Sequence, residues 1–325
     1  MEKENMVEVN PRLNSATGGL TFSVATVIYL ALSLIVSFAV SAIVNGVMQK
    51  YGYADYAEAF AHVQKTDAYV YVSYLIAPVA IAISVFAVLR YKKINIRNIV
   101  PVKCRYKYYI IAVLLIYGLL FSLSWVNDVS VKFFKLFGYE QRAAASYFPD
   151  LAGAKIIPAL LVMAVLPAVM EELLFRGAIL NSTVNGAGSI RTIFIVGFCF
   201  SLFHGSPEQT VYQFIAGCAF AFIAVRSGSI LPSVLMHFIN NALIVILSAC
   251  NCFDEAGNLI ISSGGNIALI VTSAVALVGA LVWLILDKTP LKKCEKGGVK
   301  TFFLYGAVGI AAFGLIWILS LFGVA

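Results

Sequence analysis

The sequence predicts an all-α fold, a polytopic transmembrane helical bundle of about eight or nine spans, and three observations carry that prediction. Apolar residues make up 61% of the 325 residues and charged residues only 12%, about half the charged share of a soluble domain; mean hydropathy is +0.91. The apolar residues run on for about 20 positions at a time, the length a helix needs to cross bilayer hydrocarbon, and do not alternate over about 10 as barrel strands do. The net charge of +7 is gathered in two short loops. That is how a positive-inside bias is distributed, and it argues against a nucleic-acid-binding surface.

Taken in order, residues 1–19 are polar, contain Asn10-Pro11 and read as a cytoplasmic arm. The first apolar run is too long for the core of a cleavable signal and is expected to be retained. Three spans follow within an N-terminal region, 20–150: about 21–48, 69–89 (with Pro78 as a kink) and 108–126. Between the first two lies a polar loop with His62, read as a solvated side chain. Between the second and third stand Arg90, Lys92, Lys93, Arg97, Lys103, Arg105 and Lys107 with no acid among them, the strongest cytoplasmic signal in the chain. Residues 131–137 are expected to lie amphipathically on the outer surface. A central region, 151–250, holds spans at about 156–181, 190–204, 211–225 and 230–249. A C-terminal region, 251–325, holds spans at about 267–286 and 301–324, separated by a lysine-rich loop from Lys288 to Lys300. The loop after the seventh span has Asp254 and Glu255 and no base, which fits the outside. Nine crossings with a cytoplasmic N-terminus, in a plasma membrane, put both basic loops on one side. The short fifth and sixth spans leave eight possible. The six cysteines form no CxxC repeat, disulfide framework or zinc ribbon.

The fourth span carries Met170-Glu171-Glu172-Leu173-Leu174-Phe175-Arg176-Gly177. A charge inside hydrocarbon costs roughly 2.5–3.5 kcal/mol on insertion scales, so three within six residues need partners. Glu172 and Arg176 are four apart and can pair on one helix face; Glu171 has no such local partner. Two histidines lie in apolar spans, His204 four residues after Phe200, and His237 four before Asn241 with Asn240 beside it. Counted at ~1.5 Å per residue from the cytoplasmic ends, Glu171 is roughly 15 Å deep, His204 roughly 20 Å and His237 roughly 10 Å, compatible with one polar cavity nearer the cytoplasmic side. A carboxylate and a histidine can activate water for attack on a carbonyl, with a second histidine and an asparagine amide as oxyanion donors. Glu171, His204 and His237 would also make a catalytic zinc set, although no His-Glu-x-x-His is present and no Gly-x-Ser-x-Gly elbow. From the residues alone, hydrolysis, a proton relay in a transporter and a structural or peptide-binding core all stay open.

The ordered set Glu171-Glu172-x-x-x-Arg176, Phe200-x-x-x-His204 and His237-x-x-x-Asn241 resembles the CPBP (Abi) family. That family comprises type II CAAX prenyl endopeptidases and bacteriocin-processing or bacteriocin-immunity membrane proteins. The resemblance covers about 156–249. It implies an intramembrane endopeptidase acting on a membrane-associated peptide or membrane protein, prenylated or not. In it, Glu171 and His204 activate water, His237 and Asn241 form the oxyanion site, and Glu172 and Arg176 support them. It favours a mechanism with no cofactor, with zinc on Glu171, His204 and His237 as the alternative. The lipid bilayer is the expected partner besides substrate; nucleic acid is not one. The runner-up reading is a bacteriocin self-immunity or peptide-binding protein without proteolysis, and the third a proton-coupled transporter. The expected cavity opens to the cytoplasmic side or to lipid.

Overall fold

The computed structural model describes residues 10–139, 148–254, 259–295 and 297–323. These are helical apart from irregular connections and one isolated antiparallel bridge, Phe253 to Leu259. Residues 1–9 of the expected arm, together with Glu255, Lys296 and Val324, lie outside the described residues.

Helix α1 (Ser15–Tyr51) starts inside the stretch read as the arm. Asn14 caps it, accepting a hydrogen bond from the Thr17 amide at 3.1 Å. Ser15, Thr17, Gly18 and Gly19 look polar or breakable in sequence, yet they are buried. A Cβ on Gly19 would sit 2.3 Å from the Phe302 carbonyl oxygen, so these small residues form a close helix–helix contact of the kind membrane bundles use. The polar loop after α1 contains a short helix, α2 (Tyr56–Gln64), capped by Asp55. Helix α3 (Asp67–Lys92) holds Pro78 buried in its middle. Helices α4 (Lys107–Ser122) and α5 (Trp125–Lys135) are bent 44° apart, and the segment read as surface-lying, 131–137, is the end of α5 and the two residues after it, where Phe133, Leu136 and Phe137 are exposed.

The remaining helices are α6 (Gly153–Ala187), α7 (Ser189–Phe203), α8 (Thr210–Ser227), α9 (Leu231–Ala249), α10 (Ser263–Leu286) and α11 (Gly298–Leu321). Among the described residues seven helices are long and apolar enough to cross a membrane, or eight if α4 and α5 count as one bent span. Helix α7, with 15 residues, is the short one.

Both basic loops gather at one end of the bundle. The Ser189 amide donates to Lys292 O at 2.9 Å, the Glu295 amide to Gly186 O at 2.8 Å and the Ile230 amide to Pro101 O at 3.0 Å. Arg226 Nη1 reaches Thr289 O at 2.7 Å, Arg12 Nη1 reaches Lys93 O at 3.0 Å, and Lys107 pairs with Asp287. At the opposite end the Asp150 amide donates to Asp67 Oδ1 at 2.9 Å.

Two features of this frame position the site. Helix α6 widens into π-helical turns at Leu161–Val165 and Leu173–Leu180, on either side of the α-helical Leu166–Glu172. Pro167 lacks an amide hydrogen and its ring crowds the carbonyl four residues back; the wide turn just before it takes up that misfit. π-bulges of this kind collect at functional sites. The second feature is the hairpin of α7 and α8, which cross closely at glycines. A Cβ on Gly197 would lie 2.4 Å from Cys218 Sγ and 3.0 Å from the Cys218 amide nitrogen. Gly197→Leu is therefore expected to push the two helices apart and destabilise the protein by about 1–3 kcal/mol, read as a lower unfolding temperature in detergent; an unchanged temperature would show that the crossing has slack.

Candidate active site

The site is built on α6, α7 and α9. Glu172 and Arg176 are fully buried, with Arg176 Nη1 donating to Glu172 Oε1 at 2.8 Å. This is the i, i+4 pair the spacing predicts. The guanidinium is held further: Nη2 donates to the Gly217 carbonyl at 2.9 Å, and its carbon lies 4.7 Å from the Phe200 ring centre, 5.2 Å from Phe220 and 5.8 Å from Phe175. The α7–α8 crossing makes the Gly217 contact possible, because Gly217 itself abuts Gly197, its Cβ position 2.9 Å from that residue's Cα. On α6, Gly177 lets the Ile99 carbonyl approach to 3.0 Å of where a Cβ would be.

His237 Nδ1 lies 3.1 Å from Glu172 Oε1. A carboxylate only accepts, so this nitrogen carries the hydrogen and Nε2 is turned to Glu171, 3.8 Å from its Oε2. His204 follows the last turn of α7, where its Nδ1 is 2.8 Å from the Phe200 carbonyl. That carbonyl must also accept, which leaves His204 Nε2 as the free ring nitrogen. Asn240 Nδ2 donates to Asn241 Oδ1 at 2.9 Å, orienting the Asn241 amide so that its NH2 remains to donate elsewhere. Glu171 Oε2 is buried and accepts no hydrogen bond among the described residues.

Glu171, His204, His237 and Asn241 line one cavity of about 250 Å³. The six candidate site residues thus meet here, four on the cavity wall and Glu172 and Arg176 behind it. The wall is completed by residues that the motif reading left out: Ser73, Tyr74, Ala77 and Pro78 of α3, Phe148, Met163 and Pro167, and Ile244 and Val245. The expectation of a cavity nearer the cytoplasmic, basic end is corrected. From Glu171 the cavity runs toward Ser73, Phe148 and Met163, which belong to the opposite ends of their elements. The count for Glu171 fell short because α6 continues past residue 181 to Ala187, which puts Glu171 ~24 Å from that end.

The donor chemistry of Glu171, His204 and His237 suits zinc, and both imidazoles have one nitrogen held by an acceptor, as metal-binding histidines do. As they are placed, no group of three His, Cys, Asp or Glu side chains among the described residues is close enough together to hold a metal ion.

Residues 153–243 match the family model described as type II CAAX prenyl endopeptidase Rce1-like. This segment resembles an Rce1-like domain. It contains every site residue above, from the paired glutamates to Asn241, in a multi-pass, integral membrane chain. No curated protein and no solved structure matches the chain. The Rce1-like domain does not include α3, so the Ser73–Pro78 wall comes from outside it. Gly217 and Phe220 lie inside it but carry no motif signal: a backbone carbonyl and one more phenylalanine in an apolar run look ordinary until the fold brings them to Arg176.

Proposed function

We propose that the protein is an intramembrane endopeptidase of the CAAX-protease type. In this reading it hydrolyses a peptide bond in a membrane-associated substrate with water activated by Glu171 and His204. The observation that carries the reading is the convergence of Glu171, His204, His237 and Asn241 on one cavity within the Rce1-like domain.

Each residue has a role that its surroundings support. The Glu171 carboxylate, with one oxygen buried and unpartnered, is the proton acceptor for a water attacking the scissile carbonyl. His204 Nε2 receives or relays that proton, since its Nδ1 is committed to Phe200 O. The oxyanion then meets the Asn241 amide and His237 Nε2–H. With Nδ1–H given to Glu172, His237 can donate from Nε2 only as the imidazolium. The cluster Glu171, Glu172, Arg176 and His237 then sums to zero charge, which suits a buried site. Glu172 and Arg176 position His237 and do not touch substrate. The N-terminus and the two basic loops are taken to face the cytoplasm. A peptide-binding or immunity role is the second reading, favoured only by the same cavity's ability to hold a peptide without cutting it.

The test is cleavage of a diverse quenched-peptide set, farnesylated C-terminal peptides included, by the purified protein in detergent, with and without 1,10-phenanthroline. Cleavage untouched by the chelator and lost in His204→Ala is expected. Cleavage lost to the chelator and restored by zinc would overturn the metal-free mechanism. A His204→Ala protein that cleaves as well as wild type would overturn the site.

A further inference from the structure

We propose that the basic end of the bundle holds an anionic phospholipid, its phosphate seated in the pocket between the start of α4 and the end of α10 and its acyl chains laid along the outer face of α10. This site is separate from the cavity of Glu171 and does not depend on what that cavity does.

The pocket has a volume of about 700 Å³, with Arg105 and Lys107 on one side and Trp283, Asp287, Lys288 and Thr289 on the other. Two antiparallel helices make it. A Cβ on Gly118 would lie 2.5 Å from the Leu277 Cβ, the Tyr117 and Thr272 hydroxyls meet at 2.7 Å, and Lys107 pairs with Asp287. This contact sets the two basic loops side by side where both helices leave the apolar region.

The acid in the pocket is already spent. Asp287 Oδ2 accepts from Lys107 Nζ and from the Tyr108 hydroxyl, and Oδ1 accepts from the Thr289 amide at 2.8 Å. The cations are not. Arg105 and Lys288 are exposed and pair with no carboxylate among the described residues. Behind the pocket Arg226 is 8% exposed. It donates to the carbonyls of Thr289 and Ile285, and its Nε is buried without a partner among the described residues. Four cations thus stand against one acid. A buried guanidinium without a counter-charge is costly, and an anion in the pocket brings the missing negative charge to this end without breaking an existing pair.

The surround makes that anion a lipid. Trp283 stands one turn before the end of α10, and its indole N–H has no partner among the described residues. This is the place of an interfacial aromatic anchor. Val271, Val275, Val278, Val282 and Leu286 are exposed and recur every three or four residues along one face of α10. They span ~22 Å, more than the ~15 Å depth of one leaflet. Such side chains meet acyl chains in any bilayer; the pocket adds a fixed seat for a headgroup at the end of their track. Basic pockets between spanning helices recognise lipid headgroups in this way. A soluble phosphate would gain the charges and lose the track.

The experiment uses the full chain, purified and delipidated in detergent, titrated with phosphatidylglycerol or phosphatidylcholine of the same chains and read by native mass spectrometry. Wild type is expected to bind one phosphatidylglycerol at least about ten-fold more tightly than phosphatidylcholine. Arg105→Gln/Lys288→Gln should lose about 25-fold in affinity for it, and each single variant about five-fold, the worth of one cation near an anionic surface. Lys293→Gln/Lys300→Gln removes the same charge from exposed positions of the second basic loop outside the pocket and should stay within about two-fold of wild type. Equal loss in both double variants would overturn the site, because charge alone and not the pocket would then hold the lipid. Equal binding of the two lipids would also overturn it. So would displacement by glycerol phosphate at equal concentration, which would make the occupant a soluble phosphate. Should the Arg105/Lys288 double variant unfold, the two single variants decide.

Discussion

Glu171→Gln is expected to lower peptide cleavage by at least about 100-fold, the scale of losing a general base, while the unfolding temperature in detergent stays equal to or above wild type. The shape is conserved and the proton acceptor is removed. The structural cost is small because Glu171 makes no hydrogen bond through Oε2 and its nearest charged partner, His237 Nε2, is 3.8 Å away. Neutralising a mostly buried carboxylate removes a desolvation penalty that outweighs its loose 3.8 Å contact with His237, so stability and activity move in opposite directions. Parallel measurement of cleavage and thermal unfolding checks this. Full activity in the glutamine variant would remove Glu171 from the mechanism, and loss of both activity and fold would make it a structural residue.

Arg176→Met is expected to cost about 3–5 kcal/mol, the range for leaving one member of a buried ion pair uncompensated. Glu172 would then stand fully buried with only the neighbouring His237 and Ser233 side chains, and no fixed cation, to hold its charge among the described residues. The double variant Glu172→Leu/Arg176→Met should recover most of that stability, because replacing both charges with apolar groups of similar size is often neutral. It should not recover activity, since His237 loses the acceptor that orients its ring. Unfolding by graded denaturant in detergent across the four proteins of the cycle gives the coupling. Additive effects would mean that the pair is not a unit, and an active double variant would mean that His237 does not depend on Glu172.

Much of this was readable before any coordinates. Hydropathy located the long helices to within a few residues, because apolar runs in a bilayer leave little choice of structure. The three motifs pointed to residues that come together around one cavity, because intramembrane charges and histidines are costly and therefore few. What was hidden is non-local. The α3 wall carries no charge near Pro78, so nothing in its sequence points to a cavity. Gly217 contributes a carbonyl, which every residue has. The Ser15–Gly19 stretch reads as polar chain until Phe302 and Gly306 are seen packed on it. The short α2 depends on the Asp55 cap, a local signal outweighed in the sequence by the polarity around it. Cavity direction needed relative helix heights, which no single run encodes.

The stunted α7 has a consequence for lipid. Its 15 residues rise ~22 Å against ~30 Å of bilayer hydrocarbon, so the helix is ~8 Å shorter than a full crossing. That turn is satisfied from within: Ser201 Oγ donates to Thr210 O at 2.7 Å, Thr210 Oγ1 to Ser206 O at 2.8 Å, and Trp317 of α11 to Thr210 Oγ1 at 2.7 Å. A bilayer that meets the far end of so short a helix would thin there, and water would follow the polar turn inward where acyl tails are displaced. Hydrolysis in a hydrophobic slab needs a supply of water as much as a catalyst, and on the proposed reading such thinning would bring that supply down to His204.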